Sequence, residues 1–160
     1  MAKTQTMRFD ILPKNVAELR SLTVMSTMND PYAIAALAAL VLCRYEESKK
    51  DTVEMLNALR GSRYMTPYDV QLLRDRLTDK GYIPRSYFEG ARPGNGYTPK
   101  LPYTITVSDG KLSYLDDGYI TLYIKSSGAD NPRTVQLRQK GDQWFLWENF
   151  LMNDITPPEV

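Results

Sequence analysis

Histidine is absent from the 160-residue chain, and cysteine occurs once, at Cys43. The first absence removes the side chain that most often acts as general base near neutral pH and most often ligates transition metals. Histidine-dependent triads, zinc hydrolases and histidine-ligated iron oxygenases are thereby excluded. With a lone thiol, neither an intrachain disulfide nor a thiolate cluster can form. An excess of either charge is missing too: 20 Lys and Arg stand against 19 Asp and Glu, a net charge of +1. That balance lacks the basic footprint of a nucleic-acid binder, so no nucleic-acid partner is expected. The longest uninterrupted apolar run, Ala33 to Cys43, is far short of the roughly 20 residues that cross a bilayer, so no membrane span is expected. No apolar stretch follows Lys3 near the N-terminus either, which argues against a secretory signal and makes a cytoplasmic location the expectation.

What is present is ordinary globular usage, 42% hydrophobic and 24% charged, enough for a packed core. The length fits one domain over residues 1–160, with 1–10 and 153–160 expected as flexible tails. The first half carries helical signals. Asn15 followed by Glu18 resembles a capping box, and Asp30-Pro31 suits a helix start because proline's missing N–H would be unpaired there anyway. The helix that follows, over roughly 31–46, is apolar on every side and should be central. Ser48 and Asp51 open another helix that Gly61 should stop, and Thr66-Pro67-Tyr68-Asp69 opens an amphipathic one that Gly81 should close. Its mixed charges, Arg74, Asp75, Arg76, Asp79 and Lys80, read as a solvated face.

Beyond Gly81 the pattern changes. Four prolines and three glycines between 82 and 102 forbid a helix or sheet interior, yet Tyr82, Ile83, Tyr87, Phe88 and Tyr97 imply a packed connection. Four runs of alternating residues follow, around Tyr103–Val107, Tyr119–Ile124, Thr134–Arg138 and Gln143–Asn149. The expected fold is α+β, with N-terminal helices on one face of a C-terminal four-stranded antiparallel meander.

The strings Leu73-Arg74-Asp75-Arg76-Leu77, Ser86-Tyr87-Phe88-Glu89-Gly90-Ala91, Tyr103-Thr104-Ile105-Thr106-Val107, Ser126-Ser127-Gly128-Ala129-Asp130 and Gly141-Asp142-Gln143-Trp144-Phe145-Leu146-Trp147-Glu148 resemble those of an uncharacterised bacterial family, described only as a domain of unknown function. The resemblance spans about Ile11 to Glu148 and implies no activity, cofactor or catalytic residue.

The residues themselves offer little chemistry. Cys43, among Leu40, Val41 and Leu42, reads as an inert buried thiol. Asp116 and Asp117 lack the spacing of a calcium loop, and Pro93-Gly94-Asn95-Gly96 does not join a strand to a helix as a phosphate cradle would. No catalytic residue, metal or cofactor is assigned. The most informative feature is the sheet face turned away from the helices. If Ile120, Leu122, Ile124, Val135 and Leu137 point inward, Tyr119, Tyr123 and Arg138 point outward, and the final strand adds an aromatic pair to whichever face it turns. Tyr119, Tyr123, Arg138 and Trp147, with Tyr87 and Glu89 from loop 82–102, form the candidate binding set. The preferred expectation is a non-catalytic binding module for a protein segment or small ligand. The alternatives are a carboxylate-dependent hydrolase or lyase using Glu89 or Glu148, and a subunit-interface module, with a homo-oligomer as its outcome.

Overall fold

The computed structural model describes residues 3–159. Within them the chain is α+β: a five-stranded antiparallel sheet carries helices packed on one face. The expected meander is present, but it has a fifth strand. Residues 4–9, which the sequence suggests are a tail, form β1 (Thr4–Phe9), pairing with β2 (Tyr103–Ser108) from Thr4↔Ser108 to Phe9↔Tyr103. Alternation explains it: Gln5, Met7 and Phe9 turn inward while Thr4, Thr6 and Arg8 face water. The sheet continues through β3 (Tyr119–Ile124), β4 (Arg133–Lys140) and β5 (Gln143–Asn149) in chain order.

The helices are α1 (Val16–Arg20), α2 (Thr23–Thr27), α3 (Pro31–Leu42), α4 (Lys49–Arg60), α5 (Pro67–Leu77) and α6 (Tyr82–Arg85). Their starts follow the sequence cues. Asn15 accepts from the Glu18 amide, Asp30 from that of Tyr32 and Ser48 from that of Asp51, each occupying a donor the first helical turn cannot satisfy. Thr66 and Asp69 close a full capping box at the head of α5. α3 is the centre of the molecule: every residue from Tyr32 to Leu42 is buried, and the helix touches all five strands as well as α4 and α6. Each of its fully enclosed leucines contributes about 1.5–3 kcal/mol by leaving water. No helix among the described residues is long and apolar enough to cross a membrane.

Gly81 differs from its expected part. α5 ends earlier, at Leu77, and the chain turns through Asp79 in the left-handed region (φ 60°). Gly81 instead opens α6, where a Cβ would run into the Glu46 side chain.

Loop 82–102 is packed as its aromatic content requires. β2 and β3 are joined through only two residue pairs, Val107↔Ile124 and Ser108↔Tyr123, and then diverge. The loop fills that wedge: the Glu89 amide donates to Thr104 O (2.8 Å), the Ser127 amide to Ser86 O (3.0 Å), and the Ser126 and Ser86 hydroxyls meet at 2.7 Å. Ile83, Tyr87, Phe88 and Tyr97 join the core there. The C-terminal segment is anchored to the same region. Leu151 and Ile155 are buried, the Thr156 amide donates to Gly128 O (2.9 Å), and Tyr97 Oη donates to Thr156 O (2.6 Å). The frayed end expected for 153–160 is therefore replaced, through residue 159, by a docked one.

Candidate functional site

The outer sheet face assembles part of the expected set. Tyr119 and Arg138 are cross-strand partners, and Trp147 meets both: its ring lies edge-on to Tyr119 at 5.5 Å between centroids, and the Arg138 guanidinium sits 5.2 Å from the indole. A β-bulge positions the tryptophan. Leu137 pairs with Leu146 and Gln136 with Glu148, which leaves Trp147 as the extra residue. Strict alternation from the buried Leu146 would turn Glu148 into the core; the bulge resets the register and leaves the carboxylate exposed.

The remaining expected residues do not join this cluster. Tyr123 lies further along β3, its ring against Gly110. Tyr87 is buried and its hydroxyl donates to Leu151 O at 2.5 Å, so it anchors the C-terminal segment; burial pushes its pKa above the usual tyrosine value. Glu89 is exposed in the loop, its amide and carbonyl paired with Thr104 and Lys100. Glu148 is exposed as well, on β5, and the two glutamates line separate clefts. Among the described residues, no three His, Cys, Asp or Glu side chains are grouped to hold a metal. Cys43 is enclosed, with Sγ 3.5 Å from Ala39 O, and burial pushes its thiol up to about 12, which suppresses the thiolate.

What meets Phe145 and Trp147 on β5 is the segment after Arg60, which carries no motif of its own. The turn between α4 and α5 wraps around the free edge of β5. Gly61, at φ +74°, approaches Phe145 so closely that a Cβ would stand 2.8 Å from its ring. Two residues on, the Arg63 guanidinium covers the Trp147 indole at 4.1 Å and donates through Nη2 to the Trp147 carbonyl. Nearer the hairpin, the Trp144 amide donates to Met28 O (2.8 Å). Both contacts occupy an edge strand that would otherwise invite another chain.

Behind this turn lies a cavity of about 270 Å³ between α4, α5 and β5. Its apolar lining comes from Leu42, Leu56, Leu73 and Leu146, with the half-buried Met65 and Met152. Tyr68 and Phe150 also line it, 74% and 49% exposed. Arg60, Arg63, Asp69 and the exposed Glu148 supply the charged lining. Arg60 donates through Nε to Arg63 O (2.8 Å) and through Nη2 to Asp69 (3.3 Å). Arg63 Nε is buried with no hydrogen-bond partner among the described residues. Burial, reinforced by Arg63, disfavours the Arg60 charge and lowers its pKa against the pull of Asp69. Burial acts on Asp69 in the upward direction, but the Thr66 hydrogen bonds and the two guanidiniums outweigh it and hold the carboxyl below its usual range.

The cue for this groove was Arg60-Gly61-Ser62-Arg63-Tyr64-Met65, two arginines and two large side chains around a helix stop. It reads in isolation as a connection. Only the bulge on β5, 80-odd residues away in sequence, turns it into a wall.

Residues 11–159 match the family model described as a domain of unknown function, DUF6935. No curated protein and no solved structure matches the chain.

Proposed function

Since the chain belongs to the DUF6935 family, whose description assigns no activity, we propose from the geometry alone that it is a non-catalytic binding module whose ligand enters the groove between α4, α5 and β5. The observation that carries this reading is the combination at that place of an apolar floor, exposed rings in the lining and a few convergent polar groups, the usual make-up of a ligand pocket. Trp147 belongs to both surfaces, its outer ring shared with Tyr119 and Arg138 and its strand forming one side of the groove. The partner is a small ligand or a short protein segment, and the setting a cytoplasmic one. Loop 82–102 supports the sheet in this reading and does not contact the ligand.

A fragment screen on ¹⁵N-labelled protein tests it. Hits should shift the amides of residues 60–73 and 146–152, and Met65→Trp, which adds bulk to the lining, should abolish them while circular dichroism stays native. Hits confined to other surfaces, or unaffected by Met65→Trp, would refute it.

One observation favours a second reading, self-association. Leu112, Tyr114 and Leu115 stand 60–70% exposed on the turn before β3, an apolar group of the kind that marks protein contacts. Light scattering separates the two: a dimer lost in Leu112→Ser/Leu115→Ser would assign that turn to a subunit interface. The hydrolase alternative gains nothing from Glu89 and Glu148, which are exposed and apart.

A further inference from the structure

The groove's wall carries more positive hydrogen-bonding capacity than the protein uses. Arg60 spends Nε and Nη2 on Arg63 O and Asp69, and Arg63 spends Nη2 on the Trp147 carbonyl. Nη1 of both residues and Nε of Arg63 have no partner among the described residues. The one carboxylate set between them, Asp69, also accepts from the Thr66 amide at 2.9 Å as part of the α5 capping box. The Arg60 side chain is only 12% exposed, and the wall's buried unmatched donor among the described residues is Arg63 Nε. Glu148 also lines the groove, but it is exposed and outside any ion pair among the described residues, so solvent screens its charge. Next to these donors the floor is aliphatic, Leu42, Leu56, Leu73 and Leu146, and the space is at the small end for ligand pockets.

We infer that the groove receives an organic carboxylate bearing a compact apolar tail, the carboxylate on Arg60 and Arg63 and the tail on the leucine floor. This rests on the binding-module reading above. A planar guanidinium pairs with a carboxylate through two parallel N–H bonds, and a desolvated wall makes such bonds stronger than they are in water. A neutral tail of the same length would leave the donors unmatched, and an ammonium, itself only a donor, would offer them no acceptor. The same chemistry is offered by a free medium-chain or aromatic acid and by the C-terminus of a peptide ending in a large apolar residue.

The test compares ligands on the ¹⁵N-labelled full chain, following the Trp147 indole N–H and the amides of residues 60–73 and 146–152. Octanoate should bind at least about tenfold more tightly than octanol, the expected scale for a charge-assisted pair, and octylamine should bind more weakly still. Arg60→Gln should erase the preference for octanoate while leaving octanol binding in place; Arg60→Lys should restore part of it. Tighter binding of octanoate than of a Gly-Gly-Phe peptide with a free carboxylate identifies a free acid as the source. The reverse order, with loss on amidation, identifies a chain end. Equal affinity for octanoate and octanol in the groove would overturn the inference and leave the binding module standing. No ligand in the groove at all would overturn both. The wild-type comparison decides even if Arg60→Gln fails to fold.

Discussion

Two seams close this sheet, and they are built from different materials. At the divergence of β2 and β3, loop 82–102 fills the gap with its own backbone: Glu89 pairs with Thr104 and with Lys100, Ser127 with Ser86, and buried rings complete the core. At the free edge of β5, the α4–α5 turn closes the gap with side chains, Arg63 lying flat on Trp147 and Arg60 reaching back to Asp69. Backbone pairing leaves an open cleft of about 350 Å³ beside the loop but, among the described residues, no buried side-chain donor without a partner. Closure by guanidiniums leaves donors unspent and a cavity behind them. The difference teaches where to look for function in a chain with no catalytic signature: at the seam whose polar groups are incompletely matched.

The sharpest way to break the comparison is to unpick the backbone seam. Tyr97 is fully buried, stacks on Tyr82 at 5.7 Å and holds Thr156 O through its hydroxyl. Tyr97→Ala should cost about 3–5 kcal/mol, read by urea unfolding, and should leave ligand shifts at residues 60–73 unchanged wherever the protein remains folded. If instead ligand binding weakened in the folded fraction, the two seams would be coupled. Next in size is Gly61→Ala. A methyl there meets the Phe145 ring and the backbone sits at φ +74°, so a loss of about 1–3 kcal/mol is expected. The same change made beside Phe145→Ala should cost less, and a double-mutant cycle measures the difference. Strict additivity would mean that the turn does not rest on that ring.

Much of the fold was legible. α3 announced itself because an apolar run with alanines on every side can only be central, and the capping pairs Asn15/Glu18, Ser48/Asp51 and Thr66/Asp69 act within one turn, where spacing suffices. β1 escapes the pattern because four of its six residues are polar and its pairing partner lies about a hundred positions on, at Tyr103–Ser108. Alternation puts Tyr119 and Arg138 on one face and leaves the facing of the last strand open; in the structure Trp147 meets both. Tyr123, on the same face by alternation, lies further along β3 against Gly110, and the loop residues Tyr87 and Glu89 stay apart because nothing local says that a loop will enter the wedge between two strands in place of covering the outer face. The groove was illegible for the same reason. Its walls come from α3, α4, α5 and the end of β5, and the bulge that brings them into register has no reliable signature in one sequence.

The two arginines and their carboxylate give the smaller tests. Arg63→Ala removes the cation over Trp147 and should cost about 0.5–2 kcal/mol, with red-shifted emission from the uncovered indole; a Trp144→Phe background isolates the signal. Unchanged emission would show that the stack contributes no shielding. The smallest effect concerns acid. Asp69 has its pKa held below the unfolded value near 3.9, so its charge stabilises the fold above that pH and the contribution fades as pH falls through the folded pKa. Asp69→Asn should therefore be less stable than wild type at pH 7, and the gap should close below pH 3.9. The gap should also shrink in high salt, because the carboxylate is partly exposed to solvent. A gap independent of pH would assign the effect to the neutral hydrogen bonds of the capping box and leave the guanidinium wall without its counter-charge.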